Sequence, residues 1–505
     1  MRESCTNPVD LLVIGGGING AGIARDAAGR GQRVVLVEKG DLASATSMAS
    51  SKLIHGGLRY LEQGKIRLVR ESLAEREVLL HMAAHLVTPL RFILPHSAEL
   101  RPAWMLRVGL WIYDHLGGGS SLPASEALNL TQHGDVLKAE YRRAFAYSDC
   151  WVDDARLVVA NMVSAQEKGA RILTRTECLR LDSGAGGWRA QLSDGTCVEA
   201  KVIVNAAGPW VGQVLRTALG DGARNAVRLV RGSHIVVPRL HAHDHAYLLQ
   251  NYDRRVVFLL PFERQFTLIG TTDVPVEEAT PPPRATAAEV EYLCAAASRY
   301  VTRPVTPSDV VWTYSGVRAL YDDGKDNPSQ TTRDYVLQLD RAAGGAPILS
   351  VFGGKVTTYR KLAVHALDKL RPLLPGLGRE WTQHAPLPGS DFGTESGAAL
   401  RQRLRKAFEF ISPDCVDALV ARHGTRAVDI LRDVRSESDL GPQFGAALTA
   451  REVDYFMQHE WACDADDVLW RRSKAGLHLN AAERAAVQDY INHQMLIRRA
   501  DSAEC

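Results

Sequence analysis

Three features that would narrow the function of a 505-residue chain at once are missing from this one. No stretch approaches the roughly eighteen uninterrupted apolar residues of a membrane-crossing helix, which argues against an integral membrane protein and leaves peripheral attachment open. Charge of either sign is not in excess: 60 basic residues face 58 acidic ones for a net +2, so no bulk drive toward nucleic acid exists and any basic surface is local. Cysteine is sparse, with eight scattered residues and no C-x-x-C, which argues for a reducing compartment and against a disulfide framework or a zinc site. Met1–Pro8 is polar, without the apolar region of a secretory leader. Neither G-x-x-x-x-G-K-[ST] nor G-x-S-x-G occurs, and Asp464-Ala465-Asp466-Asp467 lacks the glycine and final acid of a calcium loop. No metal ligand is assigned; His241-Ala242-His243-Asp244-His245 reads as a solvated loop.

What is present begins with Asp10-Leu11-Leu12-Val13-Ile14, an apolar run that enters Gly15-Gly16-Gly17-Ile18-Asn19-Gly20. The spacing Gly15-x-Gly17-x-x-Gly20 permits a tight turn, backbone approach to a pyrophosphate and close packing of the helix expected over Ile18–Arg30. The free N–H groups and dipole at that helix start favour phosphate. A second strand, Arg33–Glu38, ends in an acid placed to accept a ribose hydroxyl. Strand, turn, helix, strand and acid in that order predict a bound dinucleotide.

Further along, Gly40 to Leu61 is rich in small and hydroxyl residues and ends in Ile54-His55-Gly56-Gly57-Leu58-Arg59-Tyr60-Leu61, a close-packed cofactor wall rather than a linker. A helix is expected over Ile66–His85, and another over Arg101–Leu116 with Trp104, Val108, Trp111 and Ile112 on one face. That face suits a core or dimer contact or, with Arg101 and Arg107 beside the tryptophans, a lipid interface. Strands at Ala170–Thr174, Trp188–Leu192 and Lys201–Asn205 lead to Ala206-Ala207-Gly208-Pro209-Trp210, a second approach of backbone to the ligand. Runs at Arg231–Val237, Arg255–Pro261 and Phe266–Asp273 read as an antiparallel sheet, the substrate domain. Ile348–Phe352 followed by Gly353-Gly354-Lys355 repeats the strand, glycine turn and helix plan, with a helix opening at Thr357. Beyond about Pro386 strands disappear, leaving helices at Ala399–Phe410, Cys415–His423 and Ala481–Arg499.

Three distant stretches that each bring backbone to a nucleotide suggest FAD more than NAD, and they resemble flavin-dependent amine and alcohol oxidoreductases of the glutathione-reductase fold type. The strings Ser50–Leu61, Gly232–Pro238, Trp312–Arg318 and Val351–Lys355 with Thr357–Leu362 resemble, across essentially the whole chain, the aerobic FAD-dependent glycerol-3-phosphate dehydrogenases. The fold implied is α/β: a Rossmann-like FAD-binding domain of the glutathione-reductase type, with an inserted antiparallel β-sheet substrate domain and a C-terminal helical domain. These fall at 1–90, 149–226 and 331–385 for the FAD-binding domain, 91–148 and 227–330 for the substrate or cap domain, and 386–505 for the helical domain. The resemblance implies oxidation of sn-glycerol 3-phosphate to dihydroxyacetone phosphate by hydride transfer to FAD N5, with electrons passed to ubiquinone or a similar quinone. It further implies a peripheral protein, homodimeric in the manner of its family, on the cytoplasmic face of the inner membrane. The alternatives are an oxidase that reduces oxygen, or a flavin-bound binding protein without turnover.

For that chemistry the alcohol needs a base, and His55 and His234 are the two candidates. Arg318, Arg59 and Lys355 offer fixed positive charge to the phosphate and Tyr60 a neutral hydrogen bond, so the catalytic set expected is His55, His234, Arg318 and Lys355. FAD contacts are expected from Gly15, Gly17, Gly20, Glu38, Thr46, Ser47, Ser51, Ala207, Gly208, Gly353, Gly354, Lys355 and Thr357. The positive end of the helix after Gly354 would stabilise charge at the flavin pyrimidine edge.

Overall fold

The computed structural model describes residues 6–97, 102–132, 136–184, 186–220, 227–253, 255–279, 283–322, 334–342 and 344–503. Arg101 and residues 281–282 of the proline loop lie outside them. The apolar runs at Leu11–Ile14, Val34–Val37, Cys197–Asn205 and Pro347–Phe352 are buried on both faces, as parallel strands between helical layers must be. They form one sheet in the order Val336–Arg341, Pro347–Phe352, Cys197–Asn205, Thr6–Ile14, Val34–Val37, Arg171–Leu173. All neighbours in it are parallel except Val336–Arg341, and a hairpin of Cys178–Gly184 with Gly187–Leu192 extends from Cys197–Asn205. Helices Ile18–Gly29, Asp154–Glu167 and Tyr359–Leu370 pack together on one face through Ile23, Ala27, Val158, Met162, Leu362 and Ala366. The middle one starts where Asp153 accepts the Arg156 N–H as N-cap.

A second sheet runs Val274–Val276, Val227–Pro238, Phe266–Gly270, Val256–Phe262, Ala246–Gln250, Val87–His96, Arg143–Val152, Leu53–Ile54, with Trp312–Tyr321 also on Val227–Pro238 and Glu126–Asn129 on Arg143–Val152. It departs from the expected sheet in two ways. Ala246–Gln250 and Val87–His96 run parallel, so the sheet is mixed. The expected boundaries at 90/91 and 148/149 fall inside strands Val87–His96 and Arg143–Val152, because the chain enters this sheet at Leu53, before leaving the nucleotide-binding half for good. The helix Ala287–Ser298 covers one face, opened by a capping box of Thr286 and Glu289.

Past Pro386 the chain is helical at Gly397–Ala407, Pro413–His423, Ala450–His459 and Ala481–Ala503, but a small hairpin of Gln443–Gly445 with Leu448–Thr449 corrects the expectation that strands end there. This unit is fastened by buried ion pairs. Arg472, fully buried, holds Asp41 (Nη2 to Oδ1 2.8 Å), Arg156 holds Glu460 (Nη2 to Oε1 3.0 Å), and Lys474 reaches Asp153 at 3.1 Å. Trp470 stacks on Trp312 of the second sheet with centroids 4.7 Å apart. Asp467, from the discounted calcium string, is paired with Arg175 at 2.7 Å.

Among the described cysteines, Cys150, Cys178, Cys294, Cys415 and Cys463 are free thiols and Cys197 is disulfide-bonded. One smaller expectation changes. His241 is buried rather than solvated, with its ring stacked against that of His245 at 5.4 Å.

Candidate active site

The first strand passes into Gly15 at φ +118, and a Cβ there would lie 2.4 Å from Ala206 O, so only glycine lets the Ala206-Ala207-Gly208 turn close on this point. A Cβ on Gly20 would lie 2.0 Å from Gly15 O, which fixes how tightly helix Ile18–Gly29 sits on its strand. Gly17 caps that helix without a side chain, and Ser47 Oγ accepts the Ile18 N–H at 2.9 Å. The remaining N–H groups of the first turn are the donors an anion would use.

Glu38 accepts from Gly16 N at 2.6 Å through one oxygen and from Gly40 N at 2.8 Å through the other. Burial raises its carboxyl above the usual range, while the two amides pull the other way. Each oxygen keeps a second acceptor position, so the same carboxylate that braces the glycine turn can still receive a ribose hydroxyl. The third glycine turn meets the same helix start: Asn19 Nδ2 donates to Gly353 O at 3.0 Å, and Asn19 Oδ1 is buried without a hydrogen-bond partner. A glycine turn tight against a helix N-terminus, an acid at the second strand and an orphaned amide oxygen between the first and third turns fit a bound FAD.

The wall from Thr46 to His55 ties these parts to the second sheet. Thr46 Oγ1 donates to Val317 O at 2.6 Å, next to Arg318, and the His55 N–H donates to Thr357 Oγ1 at 3.2 Å. Between them Lys52, at φ +56, turns its ammonium inward to Asp154 Oδ1 (2.8 Å) and Met48 O (2.9 Å), and Ser50 Oγ donates to Asp154 Oδ2 at 2.7 Å. Lys52 and Asp154 are both almost wholly buried. This turn presents Ser51 Oγ to His234 Nε2 at 2.9 Å.

His234 is 1% exposed, stacked on Tyr314 with centroids 4.8 Å apart, and passed so closely by Gly270 that a Cβ there would lie 2.1 Å from its ring. Desolvation, then the charges of Arg318 and Lys52, hold its pKa well below the ordinary value, so the ring is neutral and has a lone pair to accept a proton. Its Nδ1 has no hydrogen-bond partner. Arg318 is ion-paired with Asp273 and lies against Gly232, two residues before His234. Lys355 Nζ sits 4.0 Å from the Tyr60 ring centroid, and His55 meets Phe258 edge-on at 6.4 Å.

The candidates therefore gather in two clusters joined by the wall, Ser51 with His234 and Arg318, and His55 with Tyr60, Lys355 and Thr357. Arg59 begins the short helix Arg59–Glu62 between them in sequence and is half-buried. Thr46, Ser47 and Thr357, expected against the cofactor, each spend a hydroxyl on the protein's own backbone. Sequence reasoning missed Asn19, hidden in a variable position of the glycine motif. It also missed Lys52, Asp154 and Asp273, whose partners are about 100, 100 and 45 residues away in sequence and carry no local signal.

The chain matches the FAD dependent oxidoreductase family (DAO) over residues 10–360 and the C-terminal domain of alpha-glycerophosphate oxidase over residues 381–494. It is 49% identical over 489 residues to a glycerol-3-phosphate dehydrogenase of Pseudomonas aeruginosa, covering 96% of this chain and 95% of that one. A D-erythritol 1-phosphate dehydrogenase of Brucella abortus is 47% identical over 502 residues, covering 98% and 99%. The glycerol-3-phosphate dehydrogenase of Bacillus halodurans, solved in complex with FAD, superposes with a TM-score of 0.72 at 26% identity, covering 96% of this chain and 94% of that one. The chain thus belongs to the DAO family of FAD dependent oxidoreductases, with the C-terminal domain of alpha-glycerophosphate oxidase following it.

Proposed function

We propose that this protein oxidises sn-glycerol 3-phosphate to dihydroxyacetone phosphate and passes the electrons to a membrane quinone. The observation that carries the reading is a buried, neutral His234 with the Arg318 guanidinium beside it, a proton acceptor next to an anion site. Bound FAD would supply the two-electron acceptor. Gly15, Gly17 and Gly20 would hold its pyrophosphate, Glu38 its ribose, and Ala207, Gly208, Gly353, Gly354 and Thr357 the remainder. His234 takes the hydroxyl proton, with His55 as the second candidate base. Arg318 gives the phosphate a planar fork, Lys355 a point charge, and Arg59 and Tyr60 further donors. The parallel sheet with its attached hairpin supports the glutathione-reductase type for the nucleotide-binding half.

The sequence likeness to a D-erythritol 1-phosphate dehydrogenase, nearly equal in identity, favours a second reading in which the four-carbon alditol phosphate is the substrate. Adding each alditol phosphate to the yellow holoenzyme without oxygen separates them. Bleaching by glycerol 3-phosphate at the lower concentration is expected; bleaching by the erythritol phosphate alone establishes the second reading, and no bleaching by either sinks both. Re-oxidation by a ubiquinone analogue, faster than by dissolved oxygen, is the result expected of a dehydrogenase rather than an oxidase.

No helix among the described residues is long and apolar enough to cross a membrane. The helix Ala103–Leu116 instead buries Leu106, Leu110 and Tyr113 and leaves Trp104 70% and Trp111 61% exposed, so these tryptophans are not core residues. Val108 and Arg107 are exposed on the same helix, and Ile66, Arg67 and Arg70 are exposed on the helix Ile66–Met82, which shares a core with it through Val69 and Leu73; apolar and cationic side chains on these two helices suit the headgroup layer of an anionic bilayer.

A further inference from the structure

Behind the turn that joins His55 to Arg59, buried polar groups converge on one backbone amide. The Gly56 N–H donates to Tyr113 Oη at 2.8 Å, with Asp149 Oδ1 at 3.4 Å. Tyr113 donates in turn to Asp149 Oδ2 at 2.7 Å, and Arg76 Nη1 closes the cluster on Asp149 Oδ1 at 3.0 Å. Tyr113, Asp149 and Arg76 are 2%, 1% and 4% exposed. A Cβ on Gly56 would lie 2.7 Å from Tyr113 Oη and 2.6 Å from Leu73, so the phenol is pressed directly against the main chain.

We propose that Tyr113 and Asp149 are positioning residues for the reaction: by gripping the Gly56 amide they fix the spacing between His55 on one side and Arg59 with Tyr60 on the other. This rests on the alditol phosphate reading, in which His55, the second candidate base, and the further phosphate donors Arg59 and Tyr60 must be held at one substrate length. The turn has little stiffness of its own. It contains Gly56 and Gly57, the latter at φ +80, and the residues after it form only one helical turn. A buried carboxylate costs stability unless its hydrogen bonds are complete, and here the donors that complete them also hold the turn. Of the three elements that supply the cluster, Ile66–Met82 brings Arg76, Ala103–Leu116 brings Tyr113 and Arg143–Val152 brings Asp149, so the grip is set by the packed interior and not by the loop.

The charged and titratable groups facing Asp149 are Arg76 from the first of those helices, Tyr113 from the second, and Tyr147 and Cys150 from its own strand, with Glu77 paired to Arg76 behind them. Burial raises the Asp149 carboxyl to about 6, with Arg76 opposing. The ionised form is the one that accepts from Tyr113, Arg76 and Gly56 together. Protonation as pH falls through that value therefore weakens the grip.

The test compares wild-type holoenzyme with Tyr113→Phe, which keeps the ring in place and removes only the hydroxyl. Expected are unchanged FAD content, a melting temperature lowered by loss of the donor to buried Asp149, faster hydrogen exchange in the peptide spanning 55–60, and a flavin reduction rate lowered about tenfold, the effect of one hydrogen bond to a charged network. A merely structural role would lower the melting temperature and leave exchange at the turn and the reduction rate per flavin as in wild type, and that result overturns the proposal. As a second variant, Asp149→Asn should lose the decline in reduction rate expected of wild type below about pH 6; a wild type without that decline, or an unaltered acid limb in the variant, also overturns it. If glycerol 3-phosphate fails to bleach even the wild type, the substrate reading falls, while exchange at the turn in Tyr113→Phe still decides whether the grip exists.

Discussion

Replacing Arg318 with alanine should strip the substrate phosphate of its main cation and leave FAD in place. The guanidinium is 27% exposed and its partner Asp273 is 30% exposed, so the site is screened but not bulk water. Hydrogen bonds to a charged group are worth about 2 to 3 kcal/mol at such a position. The substitution does more than delete them, because the Asp273 carboxylate stays behind without its cation. At an effective dielectric of about 20 and a separation of roughly 6 Å, one charge acting on another contributes about 3 kcal/mol, which salt reduces to about 1. The two effects sum to about 3 to 4 kcal/mol, several hundredfold in affinity. KM for glycerol 3-phosphate and flavin content of the purified protein are the measurements. Removing the stranded charge in Arg318→Ala/Asp273→Asn should recover about fivefold. An unchanged KM in Arg318→Ala refutes the phosphate role, and a double variant as poor as the single refutes the part assigned to Asp273.

Gly15→Ala is expected to yield protein that purifies with little flavin, since the new Cβ meets Ala206 O at 2.4 Å at a φ of +118; a full flavin-to-protein ratio would contradict the turn's role. Lys52→Met leaves Asp154 buried without its counter-charge and should destabilise by about 3 kcal/mol. The paired change Lys52→Met/Asp154→Leu should melt higher than that single variant, and a lower melting point would show that the charge was not the cost. Trp104→Ser with Trp111→Ser should weaken partitioning to anionic vesicles roughly tenfold, since each exposed indole buries part of its area in the interface; unchanged partitioning excludes this helix.

The nucleotide half of the fold was legible because its signals are local. A buried strand, a glycine turn and a helix lie within about thirty residues and impose their spacing directly on the sequence. The second sheet was read less well. Its strands at Val227–Pro238 and Val256–Phe262 announce themselves by composition, but Leu53–Ile54 is two residues long, and nothing near it foretells pairing with Trp151 and Cys150. The candidate site residues divide in the same way. His55, His234, Arg318 and Lys355 sit in distinctive strings, whereas the groups that hold them, Asp154, Asp273, Tyr113 and Asp149, look like ordinary core or surface positions until the chain is folded. The exposed Trp104 and Trp111 show the limit of periodicity: it found the apolar face and could not say whether protein, partner or lipid would cover it.

The bond between Arg472 and Asp41 bears on the order of events during biosynthesis. Asp41 opens the stretch that becomes the cofactor wall, and the cation that neutralises it is encoded more than four hundred residues later. Until the last helices leave the ribosome that carboxylate has no buried partner, and the wall has no reason to settle. Flavin capture then belongs to the finished polypeptide, and a chain stopped after residue 380 should accumulate as colourless protein even though residues 10–360 span the whole FAD dependent oxidoreductase match.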